Sequence, residues 1–293
     1  MIARRLSQFF VVALAALALW SVVAAPGVVG PEFAGTIYVA FTILLALLFG
    51  GLFVALRFAS AGSTVFWKGG PRPGRQVGRI AIMIGTALAV QLSAGWIFEL
   101  DGRLDEAASV LALLTWTVIP AAFVASGVVK WPKRVEVASK RRLTLVGAIA
   151  ICLALSVSYA KFAYAPTEVV IPSLGGLLIP VASLIAAAAA EEVVFRVLLL
   201  TASLDLALSR FHAVFLSSIA FGLIHAPLAL MQPVVHSDWS MLQYAAYAYT
   251  PVFLMQTLAG LCLGVLWLRT GSISLVVLSH AIINVGPTLL TGL

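Results

Sequence analysis

The chain predicts an all-α fold, a polytopic transmembrane helix bundle of about nine spans with its N-terminus in the cytoplasm. Three observations carry that expectation. Of its 293 residues, 62% are apolar and only 10% charged, and the mean hydropathy is +1.10, far outside the range of ordinary soluble domains. Apolar runs of about 18 residues or more, each enough to cross a hydrocarbon core of roughly 30 Å, recur from end to end. Finally, basic residues alternate from loop to loop. Arg4 and Arg5, then Arg57, Lys68, Arg72, Arg75 and Arg79, then Lys130, Lys133, Arg134, Lys140, Arg141 and Arg142 fall in alternate segments, as the positive-inside rule expects of cytoplasmic loops. The intervening loops carry Glu32, Glu99, Asp101, Asp105, Glu106 and Glu168.

The spans are justified in order by apolar run and loop charge together. Phe9 to Val29 follows two arginines and resembles a secretory signal, yet its length and the span that follows it read as a retained helix. Thr36 to Leu56, Ile80 to Phe98, Ala108 to Val129 and Leu143 to Tyr159 complete a front group, separated by turn-formers such as Gly69, Gly70, Pro71, Pro73 and Gly74. After Pro166 and Pro172 come Leu174 to about Leu204, Phe211 to Leu230, Pro251 to Leu268 and Ile273 to Leu290. The first of these is too long for one span, since roughly thirty residues make a helix of about 45 Å. It must tilt, break or run along the interface, and a break near its glutamates would suit an active site. The chain therefore divides into residues 1–165, a front group of about five helices with no assigned role, and residues 166–293, a back bundle. Met231 to Tyr249, holding His236, Asp238, Tyr244 and Tyr247, reads as a non-cytoplasmic loop or lid.

This composition excludes a soluble multidomain protein. The net charge of +7 does not indicate nucleic acid, because the basic residues follow membrane side and do not form one patch interleaved with aromatics. Cys152 and Cys262 lie in apolar runs without metal-ligand spacing and read as small core residues. Trp20, Trp96, Trp131, Trp239 and Trp267 fall near span ends and read as interfacial anchors. The expected location is the plasma membrane, spanned several times, with lipid and a membrane-associated peptide or protein as partners.

Six polar side chains in the back bundle stand out against that apolar background: Glu191, Glu192, Arg196, His225, His280 and Asn284. Ionisable groups inside a membrane cost roughly 2.5 to 3.5 kcal/mol each at a helix centre on an insertion scale, so a chain that gathers several is using them. Adjacent glutamates project about 100 degrees apart on a helix, so their roles must differ. Glu192 and Arg196 are four apart in the favourable order for an ion pair, which leaves Glu191 without a local partner. A carboxylate without a partner in a low-dielectric setting suits general acid–base chemistry.

Phe221 precedes His225 by one helical turn, so its ring can pack under the imidazole, while Gly222 permits close helix approach. His280 and Asn284 are also four apart and share a helix face, as oxyanion donors or as a metal ligand with a supporting amide. Each feature also admits a bland explanation, a polar network that only fixes helix packing. Glu191, His225, His280 and Asn284 all fall inside their spans at similar depth, whereas His212 and His236 lie at a span end and in a loop and are left out.

In order, these motifs resemble the CPBP family of intramembrane proteases, also called the type II CAAX prenyl endopeptidase or Abi family. The family pattern Glu-Glu-x-x-x-Arg, Phe-x-x-x-His, His-x-x-x-Asn/Asp is filled by Glu191, Glu192, Arg196, Phe221, His225, His280 and Asn284. The resemblance covers roughly Leu174 to Leu293 and marks residues 166–293 as the catalytic bundle. It implies peptide-bond hydrolysis in or beside the membrane, with Glu191 and His225 activating water and His280 and Asn284 stabilising the oxyanion. Glu192, Arg196 and Phe221 would support the site. The family's metalloprotease label leaves room for a divalent metal such as zinc on Glu191, His225 and His280. The preferred mechanism requires none, since the Asn284 amide suits an oxyanion better than zinc. Two other classes stay open, a proton-coupled transporter and a non-catalytic scaffold or immunity protein on the same fold.

Overall fold

A computed structural model describes residues 2–23, 34–70, 72–163, 174–206, 208–226, 231–235 and 239–291. Within them the chain is a membrane-type helical bundle. The front part contains α1 (Ile2–Val23), α2 (Ala34–Ser60), α3 (Pro73–Leu100), α4 (Leu104–Ala125) and α5 (Lys140–Ala163). The back part contains α6 (Leu174–Glu192), a π-helical stretch Val193–Leu200, α7 (Thr201–Asp205), α8 (Arg210–Leu223), α9 (Met231–Val235), α10 (Trp239–Thr270) and α11 (Ile273–Thr291). Among the described residues three helices are long and apolar enough to cross a membrane, Pro73–Leu100, Lys140–Ala160 and Val252–Thr270, and four more are apolar but shorter.

The long run after Pro172 is resolved by a change of helix type. It stays helical through Asp205, but the ladder widens from α to π immediately after Glu192. Side chains support the altered backbone: Ser217 Oγ donates to the Phe195 carbonyl at 2.7 Å and Thr201 Oγ1 to the Arg196 carbonyl at 3.3 Å. Such insertions are costly in isolation and recur at functional sites. This stretch also joins the two halves. Val197 and Leu200 belong to a core with Phe211, Phe215, Leu263 and Trp267. Val194, Phe195 and Leu198 pack on the other side against Ile80, Met83 and Trp116 of α3 and α4, so the front helices form part of the wall around the polar residues.

Several expectations change. Residues 231–235 form α9 and residues 239–249 are the start of α10, a helix of 32 residues, so most of the expected loop or lid is helical, while His236 and Asp238 lie outside the described residues. Cys152 and Cys262 are exposed, not core; a lipid-facing surface is as apolar as an interior, so hydropathy cannot tell the two apart. Trp267 is 3% exposed and stacks on Trp67 with ring centroids 5.5 Å apart, a core residue and not an anchor. Trp96 and Trp131 are exposed, as anchors require, while the side chains of Trp20 and Trp239 lie outside the described residues. The described residues also contain one strand pair, Trp67–Lys68 against Lys133–Arg134, antiparallel.

Candidate active site

Glu191 and Glu192 end α6 and diverge as their spacing requires. Glu192 is 1% exposed and engaged on both oxygens: Oε1 lies 2.8 Å from His280 Nδ1, and Oε2 lies 3.1 Å from Arg196 Nε. The Arg196 contact is outside hydrogen-bond alignment, so charge carries it. The rest of the guanidinium is only partly satisfied, with Nη1 lacking a hydrogen-bond partner among the described residues. Nη2 donates to the Gly260 carbonyl at 3.3 Å, and the central carbon sits 4.5 Å from the Phe221 ring centroid, a cation–π distance. A carboxylate, a guanidinium and an imidazole thus form one sealed polar unit inside an apolar bundle, the arrangement that makes burial of charge tolerable.

Glu191 projects about 100 degrees round the helix from Glu192 and is 19% exposed. Its partners come from distant parts of the chain, so the sequence expectation of an isolated carboxylate holds only locally. Oε1 lies 3.7 Å from His225 Nε2, and Oε2 lies 3.7 Å from His280 Nε2.

His225 stands in the turn just after α8, not in the interior of a span. The helix ends there because its last carbonyls find other partners. The Phe221 carbonyl accepts from His225 Nδ1 at 2.8 Å. The Gly222 carbonyl accepts from the His225 backbone N–H and from Tyr249 Oη, both at 3.3 Å. Histidine bonded back to a final-turn carbonyl is a recognised helix stop, and Pro227 follows in the sequence. The consequence is chemical. A carbonyl only accepts, so Nδ1 carries the proton, and in the neutral ring Nε2 presents its lone pair toward Glu191. Phe221 sets the planes of both imidazoles, its ring lying edge-to-face with His225 at 5.0 Å and with His280 at 5.6 Å.

Asn284 lies one turn beyond His280 on α11 and is half-buried. His212 contacts Ser209 Oγ at the start of α8, away from the cluster, and His236 lies outside the described residues. Two residues important to the geometry escaped the sequence reading, Tyr249 at the turn of His225 and Gly260, while Gly222 permits the expected close approach where α8 and α10 touch. A Cβ on Gly222 would sit 2.5 Å from Thr257 Oγ1, and one on Gly260 would sit 2.9 Å from Ser218 Cβ. The signal for part of this was present, because Gly260 and Gly264 form a Gly-x-x-x-Gly pair in an apolar helix.

Glu191, His225 and His280 have the donor chemistry zinc prefers. Among the described residues, however, no three His, Cys, Asp or Glu side chains are grouped so as to hold a metal ion.

A polar cluster of this kind inside an apolar helical bundle defines a membrane protein with a chemically equipped interior. Residues 173–286 match the family model of the type II CAAX prenyl endopeptidase Rce1-like proteins, a protease family. The matched segment contains all seven motif residues. No curated protein and no solved structure matches the chain.

Proposed function

We propose that the protein is an intramembrane endopeptidase that hydrolyses a peptide bond of a membrane-associated substrate. One observation carries this reading: the Glu191 carboxylate lies 3.7 Å from each of two imidazole nitrogens, one brought from the turn after α8 and one from α11. Those gaps are too long for good direct hydrogen bonds, yet one water about 2.8 Å from each end fits across either. A water between Glu191 and His225 gives up a proton to that pair, and the resulting hydroxide attacks the scissile carbonyl. His280 holds Glu192 through Nδ1 and turns Nε2 toward the site, where Nε2–H donation to the tetrahedral oxyanion is joined by the Asn284 amide as second donor. The proton then passes from the Glu191–His225 pair to the leaving amine. Glu192, Arg196 and Phe221 hold these groups in place.

In this reading the chain is a multi-pass plasma-membrane protein with its N-terminus in the cytoplasm, residues 166–293 form the catalytic bundle and residues 1–165 wall it from lipid. A divalent metal is optional.

The test is peptide product. Wild-type protein in liposomes is incubated with candidate membrane peptides, prenylated and unprenylated, and products are weighed by mass spectrometry. Glu191→Ala should lower cleavage by about 10²- to 10⁴-fold, the usual worth of a general acid–base group, at unchanged yield of folded protein. Equal cleavage by wild type and variant would reject the assignment, and pH-dependent uptake without product would favour a transporter.

A further inference from the structure

The end of the bundle that carries the strand pair holds a second built feature, independent of the peptidase reading. Residues 64–79 and 126–142 contain ten Lys and Arg side chains against one carboxylate, Glu136. Lys68, Arg72, Lys130, Lys133, Arg134 and Lys140 are all exposed. Apolar side chains are interleaved with them and turned outward as well: Trp131 is 45% exposed, Val135 56% and Val137 64%.

The platform is rigid. Trp67 pairs with Arg134 and Lys68 with Lys133, and the backbone N–H groups of Val135 and Glu136 both donate to the Phe66 carbonyl, at 2.8 and 3.3 Å. Buried Gln76 uses both ends of its amide on Lys130, donating to its carbonyl at 2.8 Å and accepting from its N–H at 3.4 Å. Beneath, Trp67 stacks on Trp267 and donates from Nε1 to the Gly271 carbonyl at 2.9 Å, and the Arg134 guanidinium lies 5.8 Å from the Trp67 ring centroid.

Orientation during insertion explains the charges but not this construction. The positive-inside effect counts Lys and Arg near span ends and requires no fixed backbone. Nor does a merely solvated loop display an indole and two valines between lysines. Fixed basic groups alternating with outward apolar ones suit a surface with phosphate above and acyl chain below. Position agrees, because the platform lies where α3 and α5 begin and α4 ends, and α3 and α5 are two of the helices apolar and long enough to span. That places it at headgroup depth.

We propose that this platform is a binding site for an anionic phospholipid, the phosphate held by Lys130, Lys133 and Arg134 and the upper acyl chain lying against Trp131, Val135 and Val137. The experiment uses the full chain in neutral detergent and native mass spectrometry, with phosphatidylglycerol or phosphatidylcholine as probe. Wild type should retain phosphatidylglycerol at least about tenfold better. The variant Lys130→Gln/Lys133→Gln/Arg134→Gln should lose that preference, at roughly fivefold per charge removed, with its helical circular dichroism intact. If this triple variant misfolds, Lys68→Gln/Lys140→Gln, also at exposed positions, should weaken the preference in the same way. Millimolar inorganic phosphate should not displace the lipid. Equal retention of the two lipids, an unchanged preference in the folded variants, displacement by phosphate alone, or tighter binding of a soluble polyglutamate peptide would each overturn the proposal.

Discussion

Two consecutive glutamates at the end of α6 show how one helix serves two purposes. Glu192 is 1% exposed, with an imidazole on one oxygen and a guanidinium on the other. Glu191, one residue earlier and about 100 degrees round the helix, is 19% exposed and stands 3.7 Å from two histidine nitrogens. The first is a sealed structural ion, while the second is open to a small molecule and held close to its partners without being consumed by them. A buried charge that is ion-paired ties helices together, whereas a charge kept slightly apart from its partners leaves room for a water between them. His280 belongs to both sides, bonding Glu192 through Nδ1 and facing Glu191 through Nε2, and so transmits the rigidity of one to the other.

Beyond the loss of cleavage expected of Glu191→Ala, the contrast is broken most strongly at the sealed side. Glu192→Ala leaves the buried Arg196 without its carboxylate and should cost about 3–5 kcal/mol of stability, read as a large drop in thermal unfolding temperature or folded yield in detergent. Glu191→Ala should move the same measurement by less than about 1 kcal/mol, and equal destabilisation by the two variants would erase the distinction. Next in size is Gly222→Ala. Its methyl meets Thr257 Oγ1 and Phe253 and should cost about 1–3 kcal/mol as overpacking between α8 and α10, with Gly222→Ala/Thr257→Ala, which removes the clashing oxygen, recovering part of the loss in the same melt. The smallest effect is expected of Tyr249→Phe, which removes one long hydrogen bond to the Gly222 carbonyl beside His225. A loss of about 1 kcal/mol should appear as roughly fivefold slower turnover, with KM and melting temperature little changed; a change in KM alone would mean that Tyr249 contacts substrate instead of positioning the histidine turn.

Much of the candidate site was legible before any coordinates. Glu192 and Arg196 at four residues' spacing gave the ion pair, Phe221 and His225 gave the ring contact, and the two glutamates' angular separation gave their different surroundings. Other parts were not. His225 was placed inside a span because Phe211 to Leu230 is continuously apolar enough, whereas α8 stops at Leu223 when the histidine side chain takes a carbonyl of its last turn. Met231 to Tyr249 was read as a loop on polarity, yet most of its later half is helical because α10 extends well past its apolar segment. Cys152, Cys262 and Trp267 were each assigned to the wrong surroundings for one reason: hydropathy reports that a residue avoids water and says nothing about whether lipid or protein replaces it.

Helicity, apolar spans, loop charge and the order of the three polar motifs are properties of short stretches, and the sequence alone determined them. Tertiary structure decided which nitrogen of each histidine faces Glu191, the π-helical stretch after Glu192, and the seal that joins Glu192 to His280. That last contact links residues 88 positions apart. Backbone periodicity and hydropathy act over one or two turns, whereas a hydrogen bond across such a separation exists only once the glycine contacts of α8 and α10 and the cores on both sides of Val193–Leu200 have fixed where the helices lie.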